Sequence, residues 1–207
     1  MKFHDISRPI HTGMPRWPGD TPAEFKLVAT IPAGSACNIG RLQMSVHTGS
    51  HADAPYHYNQ AGAKIHELPV DTFVGPARVV DVRGHAVITT ELLAAHDFSA
   101  TPRVLFRSDS WTDPEVFPAS WPLLATDTPA WLGAHGVKLI GLDVPSVDHL
   151  TSKDLAIHHL LDAAGIIILE NLDLRAVPPG VYELIALPLK IKDADGSPGR
   201  AVLRTLD

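Results

Sequence analysis

The chain has 207 residues, of which 45% are hydrophobic and 19% charged, and its formal net charge is -6 at pH 7. This length and composition fit a single domain over residues 1–207 that buries a sizeable core. The acidic balance argues against nucleic acid as a partner, because the sequence shows no basic stripe that would neutralise phosphates.

The N-terminal third predicts a pair of antiparallel strands. Residues 1–15 contain no apolar segment of the kind that a secretory signal needs. Polar and apolar residues then alternate at 23–31 and at 38–46, which is typical of strands with one buried face. The one cysteine, Cys37, excludes an intramolecular disulfide and favours a reducing compartment; we interpret it as a structural thiol. We therefore expect a cytoplasmic protein.

The rest of the chain alternates predicted strands and helices. Short runs rich in Val and Ile predict buried strands at 77–82, 103–108, 137–143, 165–170 and 182–189. Helices are predicted after Thr89 or Thr90, from Thr128-Pro129, and after Ser152 as the cap of 153–165. No apolar run approaches the roughly 20 residues that cross a bilayer, so we expect no membrane partner. The alternation predicts an α/β fold with a mixed central sheet and helical crossovers.

The stretch SVHTGSHADAPYHY at 45–58 concentrates polar groups that bind metals, namely His47, His51, Asp53 and His57. All four have odd numbers, so an extended backbone would direct them to one face. A helix would instead separate His47 and Asp53 by some 120°. Pro55 prevents a regular central strand and indicates a turn that folds His57 back over the other three.

Imidazole and carboxylate groups are the ligands expected for zinc, and manganese or cobalt would accept the same donors. The alternative is that some of these histidines are ordinary polar surface residues. Four such groups at odd-numbered positions favour a metal site. Two histidines and one carboxylate would leave coordination positions of the metal open, as catalysis requires.

A second group of candidates lies downstream. His158 sits at the edge of the apolar stripe of its predicted helix and can reach a buried site, whereas His159 points to solvent. Glu170 ends an apolar strand, where a carboxylate is rare unless it is paired or bound to a metal. Asp143 ends the neighbouring strand, and a capping role and a functional role are equally open. His149, in the connection before the helix, is another histidine that could lie near the site.

Trp17 lies between Pro15 and Pro18, which limit the freedom of the backbone around it. An indole held in this way can stack on a flat apolar ring of a ligand. The alternative is that Trp17 plugs its loop against the core.

Five segments together resemble the bacterial kynurenine formamidases (arylformamidases) of the metal-dependent cyclase/hydrolase family. They are residues 5–22, 47–58, 136–159, 168–174 and 177–190. The His-x3-His-x-Asp-x3-His core of the second segment marks the broad family. The early Trp-Pro-Gly-Asp and the segments around His158 and Glu170 match the formamidases more narrowly. The resemblance gives no role to Asp109, Trp111 or the 192–199 loop.

The resemblance implies a swivelling β/α/β-type fold, a homodimer and a centre of two divalent ions, usually Zn²⁺. Asp53 and Glu170 would bridge the two ions, and His57 would be the general acid/base. Trp17 would lie against the aromatic substrate. The five implied metal ligands are His47, His51 and Asp53 at the first ion, His158 at the second, and Glu170 between them.

The implied reaction is hydrolysis of N-formyl-L-kynurenine to L-kynurenine and formate, a step of tryptophan degradation. A divalent ion can lower the pKa of water to about 7 and so supply hydroxide, while His57 moves the proton. Another hydrolase of the family, acting on an isatin-like cyclic amide, is one alternative, and an assay would separate the two. A non-catalytic metal-binding protein is the alternative of a different class. Such a protein would not need His57 as an unligated base.

Overall fold

The chain is built from short strands, a few short helices and many loops. A computed structural model describes residues 1–206. Within them the strands are β1 (Phe3–Asp5), β2 (Glu24–Ala29), β3 (Ile39–Gln43), β4 (His51–Asp53), β5 (Val74–Asp81), β6 (Val87–Ile88), β7 (Arg103–Arg107), β8 (Leu123–Leu124), β9 (Leu139–Leu142), β10 (Ile167–Glu170), β11 (Gly180–Ile185), β12 (Gly196–Pro198) and β13 (Val202–Arg204). The α-helices are α1 (Thr90–Leu93), α2 (Thr128–Ala134) and α3 (Ala156–Ala163). Single 3-10 turns span Ile31–Ala33, Pro55–His57, Ile65–Glu67 and Val70–Thr72.

Nine strands form one mixed sheet in the order β1-β13-β11-β5-β7-β9-β10-β4-β12. The central strands β5, β7, β9 and β10 are parallel, and the strands on both sides of them are antiparallel to their neighbours. The chain passes from β5 to β7 through α1, from β7 to β9 through α2, and from β9 to β10 through α3. These connections confirm the predicted α/β fold with a mixed sheet and helical crossovers, and all five predicted buried strands are present.

The two faces of the sheet are covered by separate hydrophobic clusters. In β10, Ile167 and Leu169 belong to one cluster and Ile168 to the other, as the alternation of side chains along a strand requires. The second cluster also contains Leu132 of α2 with Ile157 and Leu161 of α3, so the helices lie on that face. Both faces of the central strands are therefore buried, which explains their continuous Val and Ile content. No α-helix within residues 1–206 has the length and apolar character needed to cross a bilayer.

The predicted N-terminal hairpin exists, but its predicted half-burial is wrong. Strands β2 and β3 pair with each other as a separate two-stranded sheet. Every residue of β3 is exposed, and the large apolar side chains Phe25, Leu27 and Leu42 are 52%, 49% and 49% exposed. The alternation is real, yet within residues 1–206 no other element covers the apolar face.

The predicted start of the third helix is also wrong. Helix α3 begins at Ala156, and Leu155 before it has a left-handed backbone with φ of 46°. Asp148 provides the acceptors that were expected from Ser152, because its carboxylate accepts hydrogen bonds from the backbone N–H groups of Ile157 and His158 at 3.0 and 3.1 Å. A carboxylate distant in sequence can satisfy the free N–H groups at a helix start as well as a local cap.

Candidate metal centre

Two neighbouring strands place three of the candidate ligands together. Strand β4 pairs antiparallel with β10, so that His51 lies opposite Glu170 and Asp53 opposite Ile168. Ala52, between the two ligands, packs into the core on the opposite face. His51, Asp53 and Glu170 therefore share the face covered by the helices, at the carboxyl end of β10, where sites of α/β proteins gather.

The extended backbone that would direct His47, His51 and Asp53 to one face is not present. The chain leaves β3 at Gln43, turns through residues 46–50, and enters the nine-stranded sheet at His51. Gly49 makes the turn possible with φ of 67°, a left-handed conformation that favours glycine. Only His51 and Asp53 share a strand face. His47 reaches Asp53 by way of the turn, with His47 Nδ1 2.9 Å from Asp53 Oδ1.

Helix α3 supplies His158 from the other side. This imidazole is 3% exposed, whereas His159 beside it is exposed, as the helical wheel predicts. His158 Nδ1 lies 2.7 Å from Asp148 Oδ2, and the opposite nitrogen, Nε2, faces Asp53 and Glu170. A carboxylate on the far nitrogen of a histidine is the usual support of a metal ligand, because it fixes the ring and its tautomer. No pattern in the sequence pointed to Asp148.

The donor atoms form two groups that share Asp53. One group consists of His47, His51 and Asp53, and the other of Asp53, His158 and Glu170. Asp53 directs Oδ1 to His51 Nε2 at 3.3 Å and Oδ2 to His158 Nε2 at 3.7 Å. Glu170 directs Oε2 to His51 Nε2 at 3.6 Å and Oε1 to His158 Nε2 at 3.9 Å. Each carboxylate thus directs one oxygen toward His51 and the other toward His158.

Burial and charge perturb these groups strongly. Burial, together with the negative charge of Asp53, raises the pKa of Glu170 well above its usual range. Burial acts in the same direction on Asp53, but hydrogen bonds to His158, His47 and His51 outweigh it and hold the pKa of Asp53 well below its usual range. Burial opposes the charged form of His47, yet hydrogen bonds to Asp195 and Asp53 raise its pKa to about 10.

The residues present fit a divalent cation. Asp53 is 1% exposed and Glu170 4%, and both face imidazole rings. Two buried carboxylates that face each other favour a bound cation, which removes their repulsion and replaces the lost water. His51 is oriented for such an ion, because its Nδ1 lies 2.9 Å from Gly49 O and its Nε2 faces Asp53 and Glu170.

His57 lies beside this centre on the 3-10 turn that follows Pro55, as expected. Its ring centroid is 4.1 Å from that of His47, and its Nδ1 is 3.2 Å from Asp195 Oδ2. Asp195 also lies 2.9 Å from His47 Nε2, so one carboxylate joins the two imidazoles. Burial lowers the pKa of His57.

Asp195 is the second residue that the sequence analysis did not identify. It lies in the 192–199 loop, immediately before β12, which pairs with β4 and brings the loop to the site. The only sequence signal was the pair of aspartates in the Gly-rich KDADGSPG. That signal does not distinguish Asp195 from Asp193, which instead pairs with Lys64.

A cavity of about 530 Å³ opens beside the candidate ligands, within the usual size range of small-molecule sites. Trp17 lines it and also packs edge-on against Phe117 and Trp121, with ring centroids 5.8 and 6.1 Å apart. Trp111 lines the cavity too, and the Arg8 guanidinium lies 3.8 Å from its ring. Trp17 is therefore held by core aromatics and still presents a surface to a ligand.

Several other candidates are not among the groups that could hold a metal. Asp143 accepts hydrogen bonds from the backbone N–H groups of Ser108 and Asp109. Of the capping role and the functional role that the sequence left open, these contacts favour capping. His149 is exposed and bonds to Thr151. Cys37 is exposed, which contradicts its interpretation as a structural thiol.

Fold and centre together define a protein built to hold divalent metal beside a cavity for a small molecule. The model of the family described as "Putative cyclase" matches residues 4–149, and the chain belongs to this cyclase family. A kynurenine formamidase from Bacillus cereus is 45% identical over 202 residues, which are 98% of this chain and 97% of the relative.

Two solved structures share the architecture. A "potential metal-dependent hydrolase with cyclase activity" superposes with a TM-score of 0.83 at 30% identity, over 98% of this chain and 96% of the other. Isatin hydrolase A from Labrenzia aggregata superposes with a TM-score of 0.83 at 24% identity, over 100% and 94% of the two chains. The second likeness shows the fold alone. The first, together with the donor set, supports a divalent metal in this centre.

We predict that uptake of divalent metal by the metal-free protein releases protons. Burial opposes protonation of His158, but the hydrogen bonds to Asp148 and Asp53 raise its pKa to about 10, and that of His47 is also about 10. Both rings are therefore protonated near neutral pH and must lose a proton to offer a lone pair. Affinity should rise with pH up to about pH 10, and calorimetry in buffers of different ionisation enthalpy should detect the released protons.

The comparison variant is Asp148→Asn, which removes the largest favourable contribution to the pKa of His158 and should release fewer protons. His159→Gln, a change at an exposed position on the same helix, should leave the number of released protons unaltered. Uptake without proton release would contradict the assignment of protonated imidazoles to the metal-free state.

Proposed function

We propose that the protein hydrolyses N-formyl-L-kynurenine to L-kynurenine and formate, as an arylformamidase. The observation that carries the proposal is the geometry of Asp53, Glu170 and their three imidazoles beside a cavity with an aromatic wall. The near full-length similarity to a kynurenine formamidase supports the same substrate. The isatin hydrolases are more distant relatives with the same fold, and no contact in this cavity favours a cyclic amide over a linear one.

We propose two ions in the centre, most simply Zn²⁺. His47, His51 and Asp53 would hold one, and His158 would hold the other. Asp53 and Glu170 would bridge them, which suits carboxylates that offer one oxygen to each donor group. Nitrogen and oxygen donors in small number suit zinc and leave coordination positions for water and substrate.

Divalent ions, when bound, lower the pKa of water and polarise a carbonyl oxygen. The protein's own part in the reaction is to place the formamide and to move protons. His57 would take a proton from the attacking water and return it to the aryl amine nitrogen as the C–N bond breaks. Its Nδ1 faces Asp195, so the carboxylate would hold the ring with Nε2 free to accept that proton. The lowered pKa of His57 keeps the ring neutral near pH 7, as a base requires.

Trp17 would stack on the aromatic ring of the substrate. The contacts to Phe117 and Trp121 fix its orientation before the substrate arrives, which lowers the entropy cost of binding.

The decisive experiment combines metal analysis with an assay of formate release from N-formyl-L-kynurenine. We expect two equivalents of metal per chain, loss of turnover after chelation, and recovery when metal is restored. Full activity in the metal-free protein would contradict the proposal, and so would a metal-loaded protein without formamidase activity.

His57→Ala should retain metal and lose turnover by about 10²–10⁴-fold, the usual contribution of a general acid/base. Asp53→Ala should lose metal as well as activity, because it removes one oxygen from each donor group. Metal content by atomic emission and kcat with added metal separate the two cases. Turnover of the His57 variant close to that of the unaltered protein would remove His57 from this role.

We further propose a homodimer formed through the β2–β3 hairpin. Phe25 lies opposite Leu42 in the hairpin register, and Leu27 lies two residues along from Phe25, so the three side chains share one face. An exposed apolar face of this kind is typical of an interaction surface, and a second copy would cover it symmetrically. The exposed, unpaired Cys37 suits the reducing cytoplasm, which we propose as the location.

We expect light scattering to give a mass near twice the chain mass of 22.3 kDa. Leu27→Glu should shift the protein toward the monomer, because the new charge would be buried at the interface. The matched change Lys26→Gln, one residue earlier and on the opposite face of β2, should leave the dimer intact. A protein that is monomeric without any substitution would exclude the proposed interface.

A further inference from the structure

The turn at residues 15–20 forms one wall of the cavity, to which Pro15, Arg16, Trp17 and Asp20 contribute. Its backbone is closed by its own hydrogen bonds. Asp20 N donates to Trp17 O at 3.0 Å, and Arg16 Nε donates to Asp20 O at 2.8 Å. Gly19 takes the left-handed conformation that the turn needs, with φ of 87°. The aromatic ring and both charged side chains are therefore presented from one fixed piece of backbone.

The charges on this wall differ from those elsewhere in the cavity. Among the described residues that line it, Arg16 is the one lysine or arginine. Asp20 is its one carboxylate apart from Glu170 and Asp195, which belong to the metal centre or touch it. The cavity thus carries one cation and one anion at the Trp17 wall, in addition to the groups of the metal centre.

Neither charge is committed to a partner within residues 1–206. The guanidinium of Arg16 makes its hydrogen bond through Nε to a backbone oxygen and joins no ion pair there. The carboxylate of Asp20 accepts from Thr21 N at 2.6 Å through Oδ1, and it also joins no ion pair in this part of the chain. Both groups remain available to a ligand that enters the cavity.

A free α-amino acid group carries a carboxylate and an ammonium on one carbon. A guanidinium binds a carboxylate through two parallel hydrogen bonds, and a carboxylate accepts from an ammonium. The substrate of the proposed function carries such a group at the end of its ketone side chain, and its formamide is on the neighbouring ring carbon. The cavity offers a partner for each group, because the Trp17 wall carries a cation, an anion and an aromatic ring, and the metal centre lines the same cavity.

We propose that Arg16 and Asp20 bind the α-carboxylate and the α-ammonium of the substrate, and that they give the enzyme its preference for aryl formamides that carry an amino acid side chain. The inference rests on the proposed function and adds its specificity determinant. The two side chains would bind the ground state and the transition state equally, since they lie far from the bond that breaks. Their loss should therefore raise KM and leave kcat largely unchanged.

The test compares two substrates that share the reacting group. One is N-formyl-L-kynurenine, and the other is 2′-formamidoacetophenone, which keeps the aryl formamide and the ketone but lacks the amino acid. We expect Arg16→Gln to raise KM for the first about ten- to a hundredfold, the usual effect of losing a hydrogen bond between charged groups. Its KM for the second should stay within about twofold of the unaltered protein.

Arg16→Lys should recover part of the loss, because it keeps the charge without the two-pronged geometry. Asp20→Asn should show the same selectivity between the substrates with a smaller effect. The control is Arg83→Gln, an exposed arginine outside the cavity that pairs with Asp81, and both substrates should be turned over normally.

Equal losses on both substrates would overturn the proposal, since they would mean that Arg16 only maintains the turn and Trp17. Unchanged KM for both substrates would overturn it as well. The proposed function fails separately, when the unaltered, metal-loaded protein hydrolyses neither formamide.

Discussion

The structure depends on two carboxylates, Asp53 and Glu170, that are buried side by side and face a ring of imidazoles. Burial alone would drive both groups toward the neutral acid, and each ionised carboxylate makes the other harder to ionise. A cation between them removes both costs at once. The three imidazoles and two carboxylates that could hold such a cation come from a turn, a strand pair and a helix, and these elements converge here.

The elements that form the centre differ in type. Strands β4 and β10 and helix α3 place His51, Glu170 and His158, whereas His47 comes from the turn before β4. Additional acceptors hold the rings in place: Gly49 O supports His51, and Asp148 supports His158. His57 and Asp195 come from a 3-10 turn and a loop beside the centre.

The cavity combines this centre with an aromatic wall. Trp17, Phe117 and Trp121 contact one another edge-on, so the wall is organised by the core cluster on the helix side of the sheet. The aromatic wall and the candidate ligands therefore line the same cavity. In an amide hydrolase, an aromatic wall can provide specificity and a metal centre can provide rate.

The sequence by itself determined the α/β fold, the five buried strands and the family, because hydrophobic period and the His-x3-His-x-Asp-x3-His spacing are local signals. It also named a ligand set that the structure brings together, although by a turn at Gly49 rather than by an extended strand. Only the tertiary structure showed that Asp148 contacts His158 and that Asp195 contacts His47 and His57. Neither aspartate is near those histidines in sequence, and an aspartate in a loop carries no local signal. The exposed hairpin was equally beyond the sequence, because alternation shows that one face is apolar but not whether another layer of the same chain covers it.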